Sequence, residues 1–210
     1  MAACVRNVCV TGATASVFHT IRTEVDKLGG RVVDSVEDSD TVLVCLQVGS
    51  LKHQSAVSLG APVVTLQWVL QSREEGALLP PSGFQPGPLH GLRICVTGFA
   101  DTKGTARALP GVAAACSRLA VWGWAGFRCA EARAHVQKMI TDCGGEYCPD
   151  MAIARTSCLV AGNTQSAKYR AAFTWKLPIV TPKWLHACVE QQRACRPDTP
   201  DYSLCVLCFS

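Results

Sequence analysis

Apolar residues fall into short runs along this chain, and the runs alternate with stretches whose apolar positions recur at helical spacing. Asn7 to Thr11 (NVCVT) is an apolar run ending at Gly12, and it predicts a strand. Val17, Ile21, Val25 and Leu28 then repeat every three or four residues, which predicts a helix, and Gly29-Gly30 predicts its end. Arg31 to Val33, Thr41 to Leu46 and Val63 to Thr65 read as further strands, the middle one apolar enough to be buried on both faces. Strands that alternate with helices through short connections predict a parallel sheet covered by helices.

The same order restarts after Leu79 to His90 (LPPSGFQPGPLH), which holds four prolines and two glycines and reads as a short, stiff linker. Arg93 to Thr97 (RICVT) and Gly98 come first, then a helix carrying Val136, Met139, Ile140 and Cys143, then Gly144-Gly145. Strands follow at Glu146 to Cys148, Ser157 to Ala161 and Pro178 to Thr181, and a last helix opens on Pro182. Sixteen residues separate Lys52 from Trp68 and Lys168 from Trp184. The chain is a tandem repeat. The expected division is 1–80, a linker at 81–90, a second unit at 91–203 and a tail at 204–210.

One interval breaks the symmetry. Thr11 to Gly29 is 18 residues and Thr97 to Gly144 is 47, so the second unit carries 29 more. Removing 104–132 restores the spacing and joins Lys103 to Arg133 at the helix start. That alanine-rich segment shows neither a helical nor a strand period, and it is either an insertion at the mouth of the first loop or a translated intron.

With 49% hydrophobic and 17% charged residues, the chain can bury a core in each repeat. The first residues lack the features of a secretory signal, and no run of eighteen apolar residues occurs, so an intracellular protein without a membrane span is expected. Most of the thirteen cysteines sit inside apolar runs, where reduced thiols behave as small hydrophobes. A net charge of +4 admits anionic partners, but no basic block like those of nucleic-acid arms is present.

The order of strand-Thr-Gly, helix, Gly-Gly, buried strand, lysine-bearing helix, strand and Trp-bearing helix resembles the BRCT domain. The resemblance is carried by ICVTGF, GGEY, LVAGNTQSAKY and PIVTPKWL, and the tandem covers nearly the whole chain. In detail it is similar to the N-terminal region of the topoisomerase II-binding protein family of replication and checkpoint scaffolds. That resemblance implies an α/β fold of two BRCT-type domains, each a small four-stranded parallel sheet flanked by helices. It further implies binding of phosphorylated Ser or Thr segments of DNA damage or replication proteins, nuclear location, and no catalysis.

A phosphorylated side chain brings a double negative charge and three acceptor oxygens, so its site needs hydroxyl, backbone N–H and cationic donors at one point. Thr97 ends a strand, Gly98 lets backbone approach, and Lys168 opens a helix whose amides favour anions. Arg133 falls seven effective positions after Thr97, where the resemblance places a phosphate-binding arginine. Thr97, Gly98, Arg133 and Lys168 are the expected phosphate site. In the first unit Thr11, Gly12 and Lys52 hold the equivalent places, but Phe18 replaces the arginine and removes its bidentate donor. That pocket is expected to be weak or structural. Trp68 and Trp184 are expected to anchor cores.

Other chemistries fit poorly. VCVTGATASVF opens like a short-chain dehydrogenase, yet Ser16 and Phe18 stand where glycines must admit a pyrophosphate, and no Tyr-x-x-x-Lys pair exists. Cys205 and Cys208 form a lone CxxC without a second pair. Five scattered histidines suggest no acid–base pair. No catalytic site, metal, cofactor or small-molecule substrate is expected. Binding of DNA ends through a 5′-phosphate is the rival reading. A third is the non-catalytic part of a larger repair enzyme, since the chain ends where a further linker and repeat could begin.

Overall fold

The computed structural model describes residues 7–99, 129–195 and 197. The chain divides into two units, Met1–Gly91 and Leu92–Ser210. The first runs β1 (Asn7–Thr11), α1 (Ala15–Lys27), β2 (Arg31–Val33), β3 (Val42–Cys45), α2 (Leu51–Leu59), β4 (Val63–Val64) and α3 (Leu66–Glu75). The second runs β5 (Arg93–Thr97), α4 (Cys129–Asp142), β6 (Glu146–Cys148), β7 (Cys158–Ala161), α5 (Ala167–Thr174), β8 (Ile179–Val180) and α6 (Pro182–Glu190). Residues 104–128 of the expected insertion and the tail at 204–210 lie outside the described residues.

Each unit is a four-stranded parallel sheet, ordered β2-β1-β3-β4 and β6-β5-β7-β8. The pairing is the same in both: Cys9 lies opposite Val33 and Leu43, and Cys95 opposite Cys148 and Leu159. Because crossovers are right-handed, the one that steps outward from β1 to β2 and the one that steps the other way from β3 to β4 put their helices on opposite faces. In the first unit α1 and α3 cover Val8, Val10, Val42 and Val44 through Ile21, Val25, Trp68 and Val69. On the other face Cys9 and Leu43 meet Ala56 of α2. In the second unit Cys95, Leu159 and Ala161 meet Tyr169 and Ala172 of α5, and α4 packs against β5, β6 and α6.

The double glycines end their helices as expected. Gly29 and Gly144 sit at φ +78° and +81°, where a side chain would be strained. Gly30 N–H then bonds the Val25 carbonyl at 3.0 Å, and Gly145 N–H the Ile140 carbonyl at 2.9 Å, which satisfies acceptors the helix leaves free. The start of the second unit's first helix differs from expectation. The helix of the second unit begins at Cys129, a turn before Arg133, because Cys-Ala-Glu-Ala supplies helix formers that carry it backward.

Both tryptophans are core residues, with Trp68 and Trp184 no more than 1% exposed. Each indole N–H donates to a carbonyl eleven residues on, Leu79 at 2.9 Å and Cys195 at 3.0 Å. The same two residues return their N–H groups to the tryptophan's helix, Leu79 to Ser72 Oγ and Cys195 to Cys188 Sγ, each at 3.2 Å. The repeat therefore extends past its last helix into a strap closed by serine in one copy and cysteine in the other. Residues 81–90, read from the sequence as linker, continue the first strap. Phe84 packs on the first core, Leu89 is fully buried, Thr65 N–H bonds the Phe84 carbonyl at 2.8 Å, and Val48 N–H bonds the His90 carbonyl at 3.0 Å.

Cys9, Cys45, Cys95, Cys143, Cys148, Cys158, Cys188 and Cys195 are free thiols. Burial pushes Cys45 and Cys158 up to about 12 and raises Cys188 as well. A thiol that cannot ionise is a poor nucleophile. Alkylation with iodoacetamide at pH 8, mapped by peptide mass, is expected to spare these three in the folded chain and reach them once denaturant is added. Labelling of Cys158 at the same rate with and without denaturant would contradict that burial.

Candidate functional site

In an open α/β sheet, ligands collect where neighbouring strands send their chains in opposite directions. Here that point lies beyond the carboxyl ends of β5 and β7, since β5 leads toward β6 and β7 toward β8. Thr97 and Gly98 stand at that strand end, and Lys168 reaches β5 two residues earlier, at Cys95. β6 ends at Cys148, in register with Cys95, so it stops short of Thr97 and Gly98. The Thr97 carbonyl accepts from Gly162 N–H at 2.9 Å on the β7 side. Peptide planarity then points Gly98 N–H the other way, over the end of β6, where no ladder partner exists.

Lys168 is the second residue of α5. Its ammonium donates to the carbonyl of Pro149, the residue after β6, and lies 3.6 Å from Cys95 Sγ. Side chains alternate along a strand, so Cys95 and Thr97 share the face that α5 covers. Hydroxyl, backbone N–H and ammonium thus gather on one face of the sheet, over the short end of β6. Thr97 is half-buried and, among the described residues, its hydroxyl has no hydrogen-bond partner.

Arg133 is placed differently. It is half-exposed, in the second turn of α4, on the helix layer opposite α5. No hydrogen bond or ion pair among the described residues joins it to Thr97, Gly98 or Lys168. Its first-unit counterpart, Phe18, packs against the first core.

The first unit repeats the arrangement in a closed form. Thr11 is 8% exposed and its hydroxyl lies 2.8 Å from Ser50 Oγ. Ser50 caps α2 by accepting from His53 N–H at 3.2 Å. Gly12 has φ +77°, as Gly98 has +80°. Lys52 Nζ donates to the Val10 carbonyl at 3.3 Å, on the same open side of the central strand. Burial holds the neighbouring Cys9 thiol above its usual range although the Lys52 charge works the other way. Both lysines thus reach the same place in their units, and the strand-end hydroxyl is engaged by protein only in the first.

The counterpart of Ser50 in the second unit is Ser166. Ser166 caps α5 by accepting from Tyr169 N–H at 3.0 Å, so its own hydroxyl proton remains to be donated. Ser50 shows that this position comes within hydrogen-bond reach of the strand-end threonine. The available signal was the shared Ser-x-Lys spacing of Ser50-Lys52 and Ser166-Lys168.

Elsewhere, burial holds His53, His90 and His186 below the usual imidazole range. Among the described residues no group of three or more His, Cys, Asp or Glu could hold a metal ion, and no helix is long and apolar enough to cross a membrane. Cys205 and Cys208 lie outside the described residues.

Two doubly wound α/β domains in tandem, each with a lysine-bearing helix beside its switch point, define a class of paired-domain proteins. The family model of the twin BRCT domain matches residues 7–68 and 124–184, and the chain belongs to that family. It is 22% identical over 200 residues to the S-M checkpoint control protein rad4 of Schizosaccharomyces pombe, a match that covers 90% of this chain and 26% of that protein. It therefore spans about a quarter of the length of that relative. BRCT-containing protein 1 of the same yeast is 22% identical over 167 residues, 76% of this chain and 16% of the relative. Among solved structures, Rad4 BRCT1,2 in complex with a Crb2 phosphopeptide is similar with a TM-score of 0.60 at 19% identity, covering 95% of this chain and 97% of that one. The same domains in complex with an Mdb1 phosphopeptide give 0.61 at 20% identity, covering 96% and 98%.

Proposed function

We propose that the second unit binds a phosphorylated Ser or Thr segment of a partner protein, and that the chain is a non-catalytic scaffold module of DNA damage checkpoint, repair or replication signalling in the nucleus. The convergence of Thr97, the Gly98 N–H and Lys168 over the end of β6 carries this reading. A phosphate dianion is a stronger acceptor than the Pro149 carbonyl that Lys168 now meets, so it would draw the ammonium outward. Ser166 supplies a second hydroxyl. Arg133 would add a bidentate donor if the ligand spans the top of the sheet toward α4. The checkpoint control protein rad4 among the relatives, and the phosphopeptides on the similar Rad4 domains, agree with this.

Charge favours the second unit over the first. Residues 7–91 hold five Lys and Arg against eight Asp and Glu, whereas the described residues of the second unit hold nine against five. An anionic ligand is steered toward the latter. Thr11, Gly12 and Lys52 form a structural counterpart, their hydroxyl closed on Ser50.

Lys168→Ala is expected to weaken binding of phosphothreonine peptides by about 1.5–3 kcal/mol, the scale of hydrogen bonds to charged groups. Titration calorimetry against phosphorylated and unphosphorylated forms of the same peptides measures it. Equal affinity of wild type and variant for the phosphorylated form would overturn the assignment. Indifference to phosphopeptides together with steeply salt-dependent binding of 5′-phosphorylated DNA would favour the DNA-end reading instead.

A further inference from the structure

Gly98 is gripped on both sides by the loop that follows β7. Gly162 N–H holds the carbonyl of the peptide before it, at 2.9 Å from the Thr97 oxygen. Asn163 Nδ2 holds the carbonyl of the peptide after it, 3.2 Å from the Gly98 oxygen. The Asn163 amide is itself fixed, because its Oδ1 accepts from Gln165 N–H at 3.1 Å in a side-chain turn. A Cβ on Gly98 would stand 2.5 Å from Asn163 N, so the loop closes on the glycine as tightly as its missing side chain allows.

A glycine at φ +80° has no side chain to restrain it, and its two peptide planes rotate easily unless something outside holds them. The orientation of Gly98 N–H is what makes it a donor over the end of β6. We propose that Asn163 is a positioning residue of the phosphate site: Gly162 holds the Thr97–Gly98 peptide that carries the N–H, the Asn163 side-chain amide holds the Gly98–Phe99 peptide that follows, and Gly98, clamped from both sides, keeps its N–H over the end of β6. Asparagine suits the task because one end of its amide accepts, which anchors it, while the other donates, which does the holding. Aspartate could keep the turn but could not donate to the Gly98 carbonyl. The inference rests on the phosphate-site reading and adds to it a residue that never touches the phosphate.

Asn163→Ser separates the two halves of the role. A serine hydroxyl can still accept from Gln165 N–H in the equivalent turn, but it is too short to reach the Gly98 carbonyl. The test uses the whole chain labelled with 15N-glycine, in wild-type, Asn163→Ser and Lys168→Ala forms. Each is titrated with inorganic phosphate and with phosphothreonine peptides of randomised flanking sequence. In wild type the Gly98 amide resonance is expected to shift on titration. In Asn163→Ser its hydrogen exchange should quicken, its phosphate-induced shift should shrink, and affinity should fall about five- to tenfold, the loss of roughly one hydrogen bond. The thermal unfolding midpoint should fall by only a few degrees, as the loss of one native hydrogen bond requires.

The outcomes distinguish the two claims. If Lys168→Ala loses affinity while Asn163→Ser binds as wild type with an unaltered Gly98 resonance, the positioning role is wrong and the site stands. A Gly98 amide unmoved by ligand in wild type, or full affinity in Lys168→Ala, removes both. An affinity loss in Asn163→Ser that comes with an undiminished Gly98 shift assigns Asn163 a purely structural role and overturns the proposal.

Discussion

Replacing Trp184 by alanine is expected to unfold the second unit while the first keeps its structure, at a cost of about 3–5 kcal/mol, the range for emptying a buried aromatic site. Trp184 is 1% exposed, on the helix that packs against α4. Truncation removes more than packing. The indole N–H is the donor to the Cys195 carbonyl, so the strap that returns Cys195 N–H to Cys188 loses one of its two ties. A domain stable by about 5–15 kcal/mol has little left after such a loss. Trp68→Ala should do the same to the first unit, where Leu79 is the acceptor and the strap continues to Leu89. Hydrogen exchange followed by mass spectrometry resolves the two. Trp184→Ala should strip protection from peptides over β5 and β7 and leave β1 and β3 protected, and Trp68→Ala should do the reverse. Uniform loss across both sheets, or none, would contradict separate cores.

The strands were legible because each is an apolar run closed by glycine or a turn. β1, β2, β5 and β6 have the residues that the pattern predicts, and the all-buried β3 and β7 differ at their ends by one residue. Repeat arithmetic aligned Thr11 with Thr97 and Lys52 with Lys168, and the structure gives those pairs matching places. The direction of the lysines was not legible. Each turns to a backbone carbonyl beside an edge strand that stops early, and where β6 stops relative to β5 depends on pairing residues more than fifty apart. The same holds for the Asn163 tie to Gly98, across 65 residues. Arg133 stands at a helix start only when 104–132 is left out of the spacing, and the helix that begins at Cys129 sets it in a second turn instead of a first. The open hydroxyl of Thr97, against the closed one of Thr11, comes from burial and from Ser50, neither of which a spacing records.

Gly98→Ala is expected to abolish phosphopeptide binding and to destabilise the second unit, and Gly12→Ala supplies the control that separates these effects. Both glycines lie in the left-handed region, where an alanine costs on the order of 1–3 kcal/mol of strain. At Gly98 the new Cβ would also stand 2.5 Å from Asn163 N and 3.0 Å from Gly162 N, both backbone atoms that cannot swing aside. The loop must part from the strand end, which breaks the Gly162 bond to Thr97 and turns the Gly98 N–H away from the end of β6. At Gly12 the Cβ would meet Gln47 N at 2.9 Å, a similar backbone collision in the unit whose hydroxyl is already closed. Gly12→Ala should therefore lower the stability of its own unit and leave phosphothreonine-peptide affinity near wild type. Calorimetric unfolding and peptide titration of the two variants together decide the matter. If Gly12→Ala loses binding as completely as Gly98→Ala, the first unit takes part in the site. If Gly98→Ala binds normally, the phosphate does not sit over β6, because no ligand could use that N–H after the strand end and the loop had been forced apart.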